Sequence, residues 1–184
     1  MQLYKFKRGK HKMKRLFEID LHDYEKDYKI FRRPSARGII IKGDKIALVY
    51  SNKEKYYKFP GGGIKNGEDM KTALIREVKE ETGLIVIPES IKEFGSVIRR
   101  QKSNISPCTV FEQENFYFFC DTENEVTSQK LDDYEKEAEF ILKVTDIDEA
   151  IKTNQNYKSD DYFNEIMIMR EMKVLQMVKE TIKN

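Results

Sequence analysis

Two neighbouring apolar runs in the first third of the chain predict a β-hairpin. Residues 36–51 read ARGIIIKGDKIALVYS, in which GIII and KIALVY favour strands and Gly43-Asp44 offers a turn between them. Apolar residues occupy successive positions in each run and not every second position. We therefore expect both strands to be covered on both faces.

Other segments have the composition of strands or the periodicity of helices. The predicted strands are LFEIDLHDY (16–24), YYKFP (56–60), IKEFGSVIRR (91–100), TVFEQENFYFFC (109–120) and EAEFILKV (137–144). The predicted helices are 69–82, DIDEAIK (146–152) and a long C-terminal helix over 159–183. The last helix has an apolar stripe made of Ile168, Met172, Leu175, Val178 and Ile182, which we interpret as core or dimer packing.

The order of these elements predicts the fold class. Strands stand on both sides of one glycine-rich loop and helix, and more strands and a helix follow, which is typical of a mixed α/β sandwich. We divide the chain into an N-terminal extension over residues 1–34 and one domain over residues 35–184 that includes the C-terminal helix.

Composition and charge exclude several classes of protein. Of the 184 residues, 39% are hydrophobic and 36% are charged, as in a globular protein with a strongly charged surface. No run approaches the roughly 20 apolar residues of a membrane span. The basic run over residues 5–15 lacks the apolar segment of a secretory signal, so we expect a cytoplasmic protein. We interpret this run as a solvated terminus, with contact to RNA or polyphosphate as the alternative.

Cysteine and histidine are too scarce for several kinds of site. The spacing of Cys108 and Cys120 fits neither a disulfide framework nor a zinc motif, and we predict buried free thiols. The only histidines, His11 and His22, lie near the N-terminus, which argues against a Ser-His-Asp triad or a histidine-rich metal site. Acid–base chemistry would then fall to carboxylates, lysine or tyrosine.

Three glutamates crowd one side of the helix predicted over 69–82. At about 100° per residue, Glu77, Glu80 and Glu81 lie within an arc of about 100°. Glu77 and Glu81 repel each other across one turn, and Arg76 can pair with Glu80 but not with all three. Clustered carboxylates are hard ligands suited to Mg²⁺ or Mn²⁺, and a merely glutamate-rich surface is the alternative interpretation.

A glycine-rich loop stands directly before this helix. Gly62 and Gly67 have the spacing of a Walker A loop, but Glu68 occupies the position of its lysine. The reversed charge excludes that type of phosphate-binding loop. The glycines instead permit a sharp turn that can expose a backbone carbonyl near the carboxylates.

The loop and the helix together resemble the signature of the Nudix hydrolases. Gly62, five residues, Glu68, seven residues and then REVKEETGL fill every defined position of the 23-residue Nudix box, residues 62–84. The chain is thereby identified as a MutT-like member of this superfamily. The resemblance implies a Nudix-type α/β/α sandwich with a mixed β-sheet. It also implies cleavage of a diphosphate linkage between a nucleoside diphosphate and another moiety.

The same resemblance implies the metal ligands and the supporting residues of the box. The implied ligands of Mg²⁺ or Mn²⁺ are Glu77, Glu80, Glu81 and the carbonyl of Gly61. The implied structural positions are Gly62, Glu68, Arg76 and Gly83. A pair between Glu68 and Arg76 would tie the loop to the helix.

The general base has two sources among relatives of this kind. It is a glutamate of the box, here Glu77 or Glu80, or it comes from a later loop, here Glu135 or Glu137. The resemblance does not choose between these sources.

Residues outside the box are candidates for substrate binding. Arg99 and Arg100 end a predicted strand, where they can bind phosphate or form exposed strand-edge charges. Tyr56, Tyr57 and Phe59 are expected to pack in the core, with stacking on a nucleobase as the alternative.

We therefore predict a divalent-metal-dependent pyrophosphohydrolase that acts on a small-molecule nucleotide. One alternative is a Nudix-fold module that senses a nucleotide without hydrolysing it. The other is an RNA 5′-end pyrophosphohydrolase that uses the basic N-terminus. No membrane partner is expected, and a homodimer is compatible with the apolar stripe of the C-terminal helix.

Overall fold

The predicted strands join into one large sheet with helices on both faces. The computed structural model describes residues 13–183. Its strands are β1 (Arg15–Asp20), β2 (Lys29–Arg32), β3 (Ser35–Lys42), β4 (Lys45–Ser51), β5 (Tyr57–Lys58), β6 (Gly61–Gly63), β7 (Leu84–Val86), β8 (Lys92–Lys102), β9 (Thr109–Phe119), β10 (Thr122–Val126) and β11 (Phe140–Thr145). Its α-helices are α1 (Met70–Thr82), α2 (Asp133–Glu137), α3 (Ile147–Gln155) and α4 (Tyr162–Lys183).

The main sheet is mixed in direction. Its strand order is β1-β8-β9-β3-β4-β11, and β2, β5 and β6 join it by pairing with β9, β4 and β3. Strand β3 runs antiparallel to β4 and parallel to β9. Strands β7 and β10 form a separate antiparallel ribbon.

Strand β3 divides the core into two layers, because successive side chains of a strand point to opposite faces. On one face, Ile40 packs in a cluster with Leu74 and Val78 of α1. On the other face, Ile39 packs in a cluster with Leu175 of α4. This arrangement confirms the predicted α/β/α sandwich with a mixed sheet.

The hairpin predicted over 36–51 is confirmed as β3 and β4. Their pairing runs up to the register of Lys42 with Lys45, and Gly43 between them has a φ of 65°. The apolar residues of both strands are buried except Ile41 and Tyr50, which are partly buried, as expected for strands covered on two faces.

The aromatic residues before the glycine loop pack in the core. Tyr56, Tyr57 and Phe59 are each no more than 1% exposed. Two of them meet other rings edge on, Phe59 with Tyr117 and Tyr56 with Phe140. The interpretation as core residues is confirmed for this structure.

The strand predicted over 137–144 is wrong at its start. Glu137 ends helix α2, and β11 begins only at Phe140. A capping box explains the difference: the Asp132 side chain accepts from the backbone N–H of Glu135, and the Glu135 side chain accepts from that of Asp132. This reciprocal cap stabilises a helical turn that alternating polarity does not reveal.

One smaller expectation is corrected, and the core packing expected of the α4 stripe holds for part of it. Cys120 is a buried free thiol as predicted, but Cys108 is exposed in the turn before β9. In the apolar stripe of α4, Leu175 and Val178 are fully buried, whereas Ile182 near the helix end is 45% exposed.

Residues 13–34 contribute two strands to the main sheet. Strand β1 runs parallel to β8, and β2 runs parallel to β9. Most of the basic run, including His11, lies outside the described residues, while Arg15 within it pairs with Glu18 and Glu114. The domain boundary at residue 34 stays a prediction. Within residues 13–183, no helix is long and apolar enough to cross a membrane.

Helix α1 begins and ends at the residues that local chemistry favours. The Asp69 side chain accepts from the backbone N–H groups of Lys71 and Thr72. Gly83 ends the helix in the left-handed conformation, with a φ of 75° and a 2.9 Å hydrogen bond from its N–H to the Lys79 carbonyl. Both caps fix where the acidic face of α1 starts and stops.

The end of α1 predicts a difference between two glycine-to-alanine substitutions. A β-carbon at Gly83 would lie 1.9 Å from the Thr127 carbonyl oxygen, whereas one at Gly43, also at positive φ, would meet nothing within 4 Å. Gly43→Ala should lower the free energy of unfolding by about 1–2 kcal/mol from backbone strain alone. Gly83→Ala should lower it by about twice that or more, because the backbone must also move. Urea unfolding of both variants measures this, and equal losses would contradict the geometry.

Candidate active site

Arg76 is the hub of the acidic face of α1. Its Nε and Nη2 donate to the two carboxylate oxygens of Glu68, each at 2.8 Å, which is a bidentate pair between loop and helix. Its Nη1 donates to Glu77 at 2.6 Å and to Glu80 at 3.0 Å. Nη2 also donates to the carbonyl of Gly63 at 3.1 Å. One guanidinium thus holds three carboxylates and the backbone of the glycine loop.

Glu81 is held by a different set of donors. It is 1% exposed, and its carboxylate accepts from Lys58 Nζ at 2.7 Å and from the backbone N–H of Gly61 at 2.8 Å. Lys58 also lies 4.2 Å from the ring centre of Phe140. The expectation that Arg76 cannot pair with all three glutamates therefore agrees with the structure, and Lys58 supplies the missing positive charge.

The Glu77 carboxylate lies against Gly62, in space that a β-carbon would occupy. A β-carbon built on Gly62 would lie 2.2 Å from Glu77 Oε2, so a larger residue would push that carboxylate away from the loop. Burial raises the pKa of Glu77, while the neighbouring Arg76 acts in the opposite direction. The close approach of loop and helix depends on a glycine here.

The backbone just before the glycine loop is held by side chains of helices α3 and α4. Asn154 of α3 accepts from the N–H and donates to the carbonyl of Tyr57, each at 2.8 Å. Glu171 of α4 accepts from the N–H of Phe59 at 2.8 Å. These two side chains form hydrogen bonds with the backbone groups of Tyr57 and Phe59, just before the glycine loop. They therefore help to fix the position of Gly61.

The structure separates the two candidates for a base outside the box. Glu135 lies on α2 beside Glu81, and burial followed by the Glu81 charge raises its pKa to about 7. Glu137 is 74% exposed in its side chain and pairs with Lys53 at 3.0 Å. Only Glu135 is brought to the acidic cluster.

Arg99 and Arg100 lie within β8, which continues to Lys102, and already have partners within the protein. Arg99 is 1% exposed, donates to Gln101 at 2.6 Å and to the Phe163 carbonyl at 2.6 Å, and stacks on the Phe163 ring. Burial lowers its pKa to about 9. Arg100 pairs with Glu112 at 2.7 Å. Their role in binding phosphate stays a prediction.

The donor types around α1 fit a hard divalent cation. Glu77, Glu80 and Glu81 offer carboxylate oxygens, and Gly61 offers a carbonyl, which are the ligands that Mg²⁺ and Mn²⁺ prefer. Within residues 13–183, no three acidic, histidine or cysteine side chains already converge as a metal site. The carboxylates are instead turned toward Arg76 and Lys58, so metal binding would require their side chains to rotate.

Sequence reasoning missed several of these residues. Four residues outside the box reach it only through the folded sheet and helices: Lys58, Asn154, Glu171, and Arg37 of β3, whose guanidinium donates to the Gly61 carbonyl. Only Lys58, three residues before Gly61, is close enough in the chain for its position to suggest a place near the loop. The others sit too far along the chain for any spacing rule.

A three-layer α/β/α sandwich with a carboxylate-bearing helix behind a glycine loop defines the class of this protein. The model of the NUDIX domain matches residues 32–163, and the chain therefore belongs to the Nudix family. That match extends beyond the box on both sides, and it begins within β2.

Two solved structures share the fold. The MutT protein of Bacillus halodurans has a TM-score of 0.50 at 20% identity, covering 74% of this chain and 80% of that one. A Nudix hydrolase from Nitrosomonas europaea has a TM-score of 0.50 at 22% identity, covering 76% and 89%. At such identities the likeness concerns the fold alone.

Curated relatives match over a shorter stretch. The ADP-ribose pyrophosphatase of Methanocaldococcus jannaschii is 38% identical over 65 residues, which are 33% of this chain and 38% of that protein. The 8-oxo-dGTP diphosphatase of Buchnera aphidicola is 43% identical over 54 residues, which are 27% of this chain and 42% of that protein. Each match thus spans less than half of the relative.

The bidentate pair predicts a pH-dependent contribution to stability. Hydrogen bonding to Arg76 lowers the pKa of Glu68 below its ordinary value of 4.5, so the pair stabilises the fold above that value and is lost as pH falls through the lowered pKa. Glu68→Gln should cost about 1–3 kcal/mol at neutral pH, and the gap to wild type should shrink below pH 4.5.

Urea unfolding from pH 7 downward measures this gap. The control is Glu89→Gln, which removes an exposed carboxylate and should change stability by less than about 0.5 kcal/mol throughout. A gap for Glu68→Gln that stays constant with pH would contradict the assigned pairing.

Proposed function

We propose that this Nudix protein is a divalent-metal-dependent pyrophosphohydrolase of nucleotides. Its substrate would be a nucleoside diphosphate linked to another moiety. The observation that carries the proposal is the complete acidic face of α1, on which Glu77, Glu80 and Glu81 all stand beside the glycine loop.

The residues present suit the chemistry of diphosphate cleavage. Glu77, Glu80 and Glu81 with the Gly61 carbonyl would hold the cation, which when bound supplies positive charge against the phosphate oxygens in the transition state. Glu81 accepts from Lys58 and from the Gly61 N–H, so its carboxylate would have to turn from these donors to bind the cation. Glu80, whose side chain is 38% exposed, is the member most open to substrate and water.

Proton transfer from the attacking water needs a base near these ligands. Water adds to one phosphorus, the bond from that phosphorus to the bridging oxygen breaks, and the other phosphate leaves with the bridging oxygen. Glu135 is a candidate to accept the proton, because it lies beside Glu81 and is 8% exposed. Glu77 and Glu80 remain the alternatives within the box.

The relatives support the class of substrate and not one substrate. The names of the two curated relatives specify ADP-ribose and 8-oxo-dGTP, which share a nucleotide carrying a diphosphate linkage. We propose that shared class for this chain. A cytoplasmic location, a homodimer and the RNA 5′-end activity stay predictions.

The central test is a substrate panel with defined metal. Purified protein freed of metal should release phosphate-containing products from some nucleoside diphosphate derivative only when Mg²⁺ or Mn²⁺ is added. Glu80→Gln and Glu81→Gln should each lower kcat by about 100-fold or more, since each removes a charged ligand. Tight nucleotide binding with no turnover in either metal would contradict hydrolysis and favour a sensing module.

A matched pair of substitutions tests the base. Glu135→Gln should lower kcat by about 100-fold or more with little change in KM, because it removes a proton acceptor but no substrate contact. Glu137→Gln lies on the same short helix and should leave kcat within about twofold. Product analysis on the best substrate measures both variants. If Glu135→Gln is as active as Glu137→Gln, Glu135 is not the base, and Glu77 or Glu80 takes that role.

A further inference from the structure

Arg37 is a buried cation beside the glycine loop that the box does not include. It lies on β3 in register with Gly61 of β6 and with Tyr117 of β9, and it is 7% exposed. Its Nη1 donates to the carbonyl of Gly61 and, at 3.4 Å, to that of Phe59. A guanidinium of the protein therefore sits on the carbonyl that is the implied backbone ligand of the metal.

The hydrogen-bonding capacity of Arg37 is only partly used. Its Nε is buried and, within the described chain, has no hydrogen-bond partner. Among residues 13–183, no carboxylate forms an ion pair with it within 4.0 Å. A buried guanidinium with an unused donor is unfavourable unless an anion or a polar group completes it.

The charge of Arg37 affects the pKa values of two carboxylates in the protein interior. Arg37 acts to lower the pKa of Glu77 on one side and that of Glu171 on the other, although burial is the largest influence on each. Its charge therefore acts both on a carboxylate of α1 and on one of α4. Its Nη1 contacts the Gly61 carbonyl, so this guanidinium stands at the glycine loop next to an implied metal ligand.

We propose that Arg37 is a positioning residue for the diphosphate of the substrate. It holds the Gly61 carbonyl when no cation is bound, and it gives up this carbonyl to bind a non-bridging phosphate oxygen when cation and substrate are present. This inference rests on the proposed function. Guanidinium suits the task, because its donors match the geometry of a phosphate group.

The two roles make opposite predictions for metal and for substrate. A guanidinium and a divalent cation repel each other at a shared carbonyl, so Arg37→Met should bind Mn²⁺ about threefold more tightly or better in the absence of substrate. The same variant loses a phosphate contact, so its KM should rise about tenfold or more. A residue that served only the fold would weaken both together.

The experiment uses the full chain and two separate measurements. Mn²⁺ affinity is read by the loss of the free-ion signal in electron paramagnetic resonance, and KM is read on the best substrate of the panel. The control is Arg32→Met, which removes a 59% exposed arginine side chain of the neighbouring strand β2 and should change neither value. Arg37→Lys keeps the charge without Nε, so it should raise KM while leaving Mn²⁺ affinity near that of wild type.

The outcomes distinguish this inference from the proposed function. A raised KM together with tighter Mn²⁺ binding in Arg37→Met supports it, and unchanged or weaker Mn²⁺ binding overturns it. If Arg37→Met does not fold, an unchanged KM in Arg37→Lys overturns it. Wild-type protein that binds Mn²⁺ but hydrolyses nothing refutes the proposed function, while the Mn²⁺ titration still tests the competition for the Gly61 carbonyl.

Discussion

The structure around the Nudix box depends on how one group of negative charges is compensated. Four glutamates of the loop and helix lie close together, and two like charges 4 Å apart repel by about 4 kcal/mol at the effective dielectric of a protein surface. Arg76 forms hydrogen bonds with three of them. Lys58 and the Gly61 N–H donate to the fourth, Glu81. The bonds of Arg76 to Glu68 and Gly63 and of Glu81 to Gly61 also tie the glycine loop to α1, so the same contacts compensate charge and fix the loop.

The second helical layer, α3 and α4, also holds the segment before the glycine loop. Asn154 and Glu171 bind the backbone that leads into the loop, although they stand on α3 and α4 across the sheet. Glu171 is itself fully buried, and Arg170 beside it keeps the pKa of that carboxyl low against the effect of burial. The C-terminal helix therefore does more than cover the core, because it positions the residues immediately before Gly61.

What could be predicted from the sequence was local. Helix α1 and the hairpin of β3 and β4 follow from adjacent residues and from spacing, and both are present, although α1 begins at Met70 and Asp69 is its N-cap. Helix α2 was missed because its capping box lies in an acidic run that resembles a loop. Lys58 and Arg37 were missed as parts of the site because their partners are 23 and 24 residues away. The packing of α1 against the sheet brings Lys58 to Glu81, and the register of β3 with β6 brings Arg37 to Gly61.

The central claim is that the cations of the protein hold ligand atoms that a divalent metal takes over. The most direct measurement is an anomalous difference map from crystals of the full chain grown with Mn²⁺. The claim predicts one or more strong peaks bounded by Glu77, Glu81 and the Gly61 carbonyl, with Arg37 turned away from that carbonyl. Bound Mn²⁺ elsewhere, with the contacts of Arg37 and Arg76 unchanged at the box, would contradict it.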